Sequence, residues 1–524
     1  MSDPQKGVFH ASGVAHTPET SSITPLSPIS PYQEQTGVLA ETLQLNDTTD
    51  ISSGAEQGPL LSPGSSIEDV TVRLEETLQR QMGTTVTDDN HVDDRVPSAL
   101  ISRDIELTTT MDLLTAGEVP LQPSVLFFVE AVECPWITPY DGVNWEKVKI
   151  EVADVGMSNK SVGLAIMAIS ALYKAQLNNL PMSKALSLYH RSRAWYQKHL
   201  SNQSQDFGTI LIITILLCLF ETIHYETAPV LRELHDIFVG RLESWAQQNP
   251  PHSEQSLRII AWLRLLHTAT IRGGGRGIIP DSIVTGLRYF DGGVSNLSLP
   301  SSHQSDMSTH VYEMLSAPIF KFYYQLQVIS GEICKLTHYH RSRTTAVDQD
   351  EVAQQLTQVR LRLHLLWESR PATQRQTPEE LRSHLGLKIA DPLTTLIGAC
   401  TAAYHAEFIE MGRVLGDPVS KSTETKQAMR QIRGFVDGDW NAYDGSKLNS
   451  GYLRPLFLYA IECMDPEENR WAVERLRHVQ NPVCRSDFWA SFGEALFHAQ
   501  LQKERRVTSK YFCTWYFGVP PPFI

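Results

Sequence analysis

Three groups of side chains have the types that do chemistry when a fold holds them. Cys334, His338 and His340 form C-x-x-x-H-x-H, with the first two at i and i+4 of a helical turn. Thiolate and imidazole are zinc ligands. A zinc site takes three or four of them plus an outer supporting shell, and no fourth Cys or His stands nearby in sequence. Asp88, Asp89, Asp93 and Asp94 occur as DDNHVDD. Carboxylates hold magnesium when a rigid scaffold sets them octahedrally. This run is DDxxxDD rather than DDxxD, in polar sequence with no apolar face, and reads as solvated charge. Gly273, Gly274, Gly275 and Gly277 stand in RGGGRG. A phosphate cradle follows a strand, opens a helix and carries G-K-S/T. These glycines follow a predicted helix, Ile259–Thr270, and lack the Lys-Ser/Thr pair, so they read as a flexible loop.

The sequence contains no G-x-S-x-G and no H-E-x-x-H, and its 18 His offer no nucleophile–base pair that spacing identifies. It therefore assigns no catalytic, cofactor-binding, metal or DNA-binding residue, and no cofactor.

The cysteines and the charge define the setting. The seven cysteines, Cys134, Cys218, Cys334, Cys400, Cys463, Cys484 and Cys513, form no C-x-x-C, and their number is odd. That pattern reads as buried small hydrophobes in a reducing compartment rather than a disulfide or clustered zinc framework. Residues 1–100 hold 15 Asp+Glu against 4 Lys+Arg, a net of −11 out of −14 for the 524-residue chain. The acidity is thus segregated in front of a nearly neutral body. A negative tail repels phosphates, which disfavours DNA binding by this segment. MSDPQKGVF has neither a basic nor an apolar signal region, and the longest apolar run, Thr209–Phe220 (TILIITILLCLF), is too short to span a bilayer. An intracellular protein with no membrane segment is expected, with Thr209–Phe220 as a buried core helix.

Two parts follow, 1–118 and 119–524. The first is rich in Ser, Thr and Pro and reads as disordered, because it cannot bury enough apolar surface to offset its ordering entropy. Its steps Thr17-Pro18, Thr24-Pro25, Ser27-Pro28, Ser30-Pro31 and Ser62-Pro63 fit either proline-directed kinase sites or a plain linker. Ser66–Met82 and Ile101–Leu114 are two islands of short helical pattern, and the second, an acidic–apolar alternation, fits either a partner-docking segment or a transient helix with no partner.

The body reads as all-α, one large multi-helix domain. Expected helices are Val162–Gln176, a helix opened by Pro181 with Leu186, Leu188, Tyr189, Trp195, Tyr196, His199 and Leu200 on a broad apolar-aromatic face, Thr209–Ile223, Leu231–Trp245 and Glu254–His267. A loop near 272–310 precedes Tyr312–Thr337, Glu351–Trp367, Leu393–Met411, Gly451–Cys463, Glu467–Val479 and Ser486–Leu501. Val352, Leu356, Val359, Leu363 and Leu366 keep a 4-3-4-3 spacing over about two heptads, which favours packing within the chain over a dimer seam. The terminal YFCTWYFGVPPPFI holds six aromatics from Tyr511 to Phe523. Docking on the core is favoured over an exposed partner site, since large exposed apolar patches are rare without a partner.

The succession VGLAIMAISALYKA, ALSLYHRSRAWYQKHL and TILIITILLCLFETI, followed by LRELHDIFVGRLESW, resembles the regulatory middle region of fungal-specific transcription factors. That is the part that follows a binuclear zinc cluster in that family. Near the end, LRPLFLYAIEC is similar to the family's P-L-F-x-x-x-x-E stretch at Pro455, Leu456, Phe457 and Glu462. An R-W helix (Arg470, Trp471) and an F-W helix (Phe488, Trp489) follow. The resemblance runs from about Pro120 to Gln500. It implies a nuclear regulator of transcription, of a metabolic or secondary-metabolite gene set, whose helical domain takes a small-molecule effector.

The family's DNA reader needs six thiolates on paired C-x-x-C spacing. No cysteine precedes Cys134, and the one basic cluster is Lys503, Arg505 and Arg506. The expectation is a regulator acting through protein partners, either transcription machinery or a DNA-binding factor, without nucleic-acid binding of its own. An all-α enzyme with an unrecognised pocket and a non-catalytic scaffold are the alternatives.

Overall fold

The structure, a computed structural model, describes residues 121–224, 236–247, 252–275, 277–279, 307–337, 345–414, 416, 422–442, 445–479, 481 and 483–521. The acidic segment, its two islands, Asp88–Asp94, His338, His340 and most of the 272–310 loop lie outside the described residues. Every regular element among the described residues is helical. The first half comprises α1 (Leu121–Ala131), α2 (Thr138–Ser158), α3 (Lys160–Asn178), α4 (Ser183–Ser201), α5 (Phe207–Ile223), α6 (Asp236–Ala246) and α7 (Glu254–Arg272). The second comprises α8 (Met307–Lys335), α9 (Ala346–Glu368), α10 (Pro378–His384), α11 (Leu387–Val414), α12 (Thr423–Ala442), α13 (Leu453–Glu462), α14 (Pro466–Arg477), α15 (Ser486–Lys503) and α16 (Ser509–Phe517). Short 3-10 turns at Ala372–Arg375 and Ser450–Tyr452 lead into α10 and α13.

Local chemistry sets these boundaries. Asn159 caps α3 by accepting from the Ser161 and Val162 amides, and Asp206 caps α5 by accepting from Thr209. Thr345 with Asp348 and Thr377 with Glu380 form capping boxes on α9 and α10, and Asp465 caps α14 ahead of Pro466. The α5 run is buried nearly all round, from Ile210 to Phe220, as a helix that is apolar on every face requires. No helix among the described residues is long and apolar enough to cross a membrane. The heptad positions Val352, Leu356, Val359, Leu363 and Leu366 of α9 are buried, with α9 packed on α8.

Several elements differ from the sequence reading. α8 opens at Met307 inside the Ser-rich stretch read as loop. α2 and α12 stand where no helix was placed. The glycines after α7 are an ordered turn, not a loose loop: the Gly274 amide donates to Ile271 O at 2.8 Å and that of Gly275 to Thr270 O at 2.9 Å. Gly274 has φ +83°, and a Cβ there would strike the Lys510 side chain, whose Nζ donates to Gly274 O at 2.9 Å. The turn is a helix C-terminus, the negative end of the dipole, so it repels a phosphate. The C-terminal aromatics divide. Phe512 and Cys513 are buried and Phe512 stacks on Phe492 at 6.4 Å, whereas Tyr511, Trp515 and Tyr516 are exposed.

The core carries polar cross-braces. Tyr189 donates to Glu221 Oε1 at 2.5 Å, joining α4 to α5, and Ser161 Oγ lies 2.6 Å from His199 Nε2, joining α3 to α4. Asp141, at a kink in α2, accepts from Asn144 at 2.7 Å, from Trp262 Nε1 at 2.9 Å and from Arg258 at 3.2 Å. Arg454 of α13 grips Glu407 of α11 through two nitrogens, at 2.6 and 3.3 Å. Glu462, with no exposed surface, is held by Arg413 of α11 at 2.9 Å and by Arg506. Arg506, read in sequence as part of a basic cluster, thus points inward. All seven cysteines are free and buried.

Removing a buried carboxylate while leaving its cations in place is strongly destabilising. Glu462→Ala is expected to lower the unfolding free energy by about 3–5 kcal/mol in urea titration, the range for breaking a buried pair. Glu494→Ala, which breaks the half-exposed pair with Arg477, is expected to cost under about 1 kcal/mol.

Candidate functional site

The turn Ala372–Arg375, α10, α11 and α12 enclose a cleft of about 570 Å³, within the size range of small-molecule sites. Its base is built from α11, where Ile397, Gly398 and Thr401 are buried. Gly398 is required by a close approach: a Cβ there would lie 2.4 Å from the Tyr452 hydroxyl. One end is aromatic. Trp367 stacks on Tyr404 at 4.3 Å, and the Arg370 guanidinium lies 3.8 Å above the Trp367 ring while donating to its carbonyl at 2.8 Å. The rim bears both charge signs, with Arg382 paired to Asp391 at 2.9 Å.

α12 lines the opposite side with Gly434, Gly438 and Asp439. A Cβ at Gly434 or Gly438 would meet nothing within 4 Å, so no packing contact demands either glycine. Each weakens the helix by roughly 1 kcal/mol relative to Ala. What they leave is open space in the cleft.

Two polar side chains in the cleft are buried without being matched. Gln374 is 5% exposed, and among the described residues neither its Oε1 nor its Nε2 has a hydrogen-bond partner. An amide so placed costs about 1–3 kcal/mol. Asp439 is 8% exposed and its Oδ2 is likewise without a partner among the described residues. Burial pushes the Asp439 carboxyl up to about 6, partly offset by the Tyr452 hydroxyl. His405, beside Trp367, is pulled down to about 4 by burial and is neutral at pH 7. Elsewhere, two cavities of about 70 Å³ each flank Arg272 and Arg454, space for a few waters rather than a metabolite.

Of the residues weighed in sequence, Cys334 is buried in α8, and burial raises its thiol above the ordinary range. Its prospective partners His338 and His340 lie outside the described residues. Cys334 does not line the cleft. The residues that do were missed, although Thr425, Ala428, Met429, Ile432 and Val436 carry a helical apolar period that marks α12.

Residues 128–495 match the fungal-specific transcription factor domain, and the chain belongs to that family. The match places it among regulators of transcription. No curated protein and no solved structure matches the chain.

The glycines separate open space from tight packing. Gly434→Ala and Gly438→Ala are each expected to raise stability by about 0.4–1 kcal/mol. Gly398→Ala is expected to lower it, because the Tyr452 ring must move. Chemical denaturation midpoints check all three. For Asp439, the folded pKa stands above its ordinary value of 3.8, so its contribution to stability is full below about pH 4 and is lost as pH rises through about 6. Asp439→Asn is expected to be more stable than the wild type at pH 8, on the order of 2 kcal/mol, with the difference vanishing at pH 4 in urea titrations across that range.

Proposed function

We propose that this chain regulates transcription of a metabolic gene set through protein partners, with residues 1–118 as the activating or docking segment and the helical body as an effector-responsive scaffold. The observation that carries the reading is the family match over residues 128–495. The charge distribution supports the division of labour. With −11 of the −14 net charge in the first 100 residues, the front repels nucleic acid while the acidic–apolar island Ile101–Leu114 suits a protein partner. The cleft beside α12 supports effector binding, since it joins a metabolite-sized volume to buried polar groups left for a ligand. Nuclear location follows from the same reading.

A reporter assay tests it. The full chain fused to a heterologous DNA-binding domain is expected to change reporter output, and deleting residues 1–118 is expected to abolish that change. A full-length fusion indistinguishable from the DNA-binding domain alone would sink the regulatory reading. An effect that persists undiminished after the deletion would remove the role given to the acidic front. In solution, the chain alone is expected to show no tight duplex-DNA binding, and a high affinity falling steeply with salt would contradict the partner-dependent mechanism.

A further inference from the structure

Gln374 decides which ligand the cleft can take. A carboxamide presents an acceptor and a donor side by side, so the group that satisfies both must present a donor and an acceptor side by side in return. A carboxylate brings acceptors alone and sets an oxygen against Gln374 Oε1. An ammonium brings donors alone and leaves Nε2 unsatisfied. A trans peptide places its N–H and C=O on opposite sides and cannot reach both atoms. A cis amide carries them on one edge. The rest of the cleft limits the remainder of the molecule. Ile397, Leu381 and Phe435 offer apolar surface, the Gly434–Gly438 side of α12 leaves room, and the rim pairs Arg382 with Asp391, so neither charge sign is favoured. A second unmatched acceptor, Asp439 Oδ2, calls for one more N–H.

We propose that the cleft binds a neutral, largely apolar molecule with a cis-amide edge, a lactam, imide or cyclic dipeptide. Its amide pairs twice with the Gln374 side chain, and a further N–H donates to Asp439 Oδ2. The inference rests on reading the cleft as the effector site and deepens it by naming the ligand's chemistry.

Isothermal titration of the full chain with cyclo(L-Leu-L-Phe) is the test, since this probe carries two cis-amide edges and apolar side chains. Binding is expected, with at least tenfold weaker binding by its doubly N-methylated form, which keeps the shape and loses both donors. Gln374→Leu and Gln374→Glu are each expected to weaken the parent probe at least tenfold. Gln374→Leu should leave the melting temperature unchanged or higher, which separates lost recognition from lost fold. Gly438→Leu is expected to block the probe by filling the cleft. Equal binding of the N-methylated form, or indifference to both Gln374 variants, would overturn the proposal. So would preferential binding of adenosine, which would assign the Gln374 edge to a nucleobase. Failure of the cyclic dipeptide, 2-piperidone and glutarimide at millimolar concentration, with only ordered water on Gln374, would overturn it as well. In that case, reporter activity of the tethered chain would leave the regulatory reading standing.

Discussion

A carboxylate with no exposed surface survives at Glu462 because two guanidinium groups reach it. Arg413 comes from the end of α11. Arg506 comes from the segment after α15 and also donates to the carbonyls of Gly412 and Gly416. The desolvation cost of such a group is large enough that its partners must be in place in the folded state. That requirement fixes α13 against the C-terminal end of α11 and draws the chain after α15 across them. The Arg454 pair with Glu407 repeats the device nearer the middle of α11. With one face of α11 held in register by two buried carboxylates, its other face is free to form the base of the cleft.

The braces of this body answer buried carboxylates across helices, and the cleft gathers two buried side chains with unmatched polar atoms. Tyr189 answers Glu221, Trp262 and Arg258 answer Asp141, and Arg454 answers Glu407. Gln374 and Asp439 Oδ2 have no such answer among the described residues, and α12 carries two glycines where alanine would make a better helix. Each feature costs stability. Their coincidence around one volume is the observation on which the proposed effector role of the cleft rests.

The all-α class was legible because most helices advertise themselves through apolar periodicity and capping residues. α5 is apolar throughout, and α9 keeps an unbroken 4-3-4-3 seam. α2 was illegible for a physical reason: its buried face includes Asp141, Asn144, Lys147 and Lys149, so a pattern search sees polar sequence where the fold sees core. α12 was passed over despite its regular apolar period, because its glycines and polar outer face interrupt the pattern. The family motifs looked like packing alone, yet Tyr189, Glu221 and Glu462 prove to be buried cross-braces and His199 a half-buried one. Their partners lie too far off in sequence for spacing to reveal them. The cleft was illegible altogether, because an unmatched buried amide is a property of three-dimensional neighbours and not of residue type. Arg506 makes the same point in reverse, since one member of a basic cluster in sequence became an inward-facing ion pair while Lys503 and Arg505 stay exposed.

The central claim is that the cleft beside α12 couples an effector to transcriptional output. Reporter output from the tethered full chain, compared between wild type and Gly438→Leu as the nutrient supply of the host is changed, tests it most directly. The account predicts that the wild type responds to the change, while the filled-cleft variant gives a constant output from an equally stable protein. A variant that responds as the wild type does would contradict it.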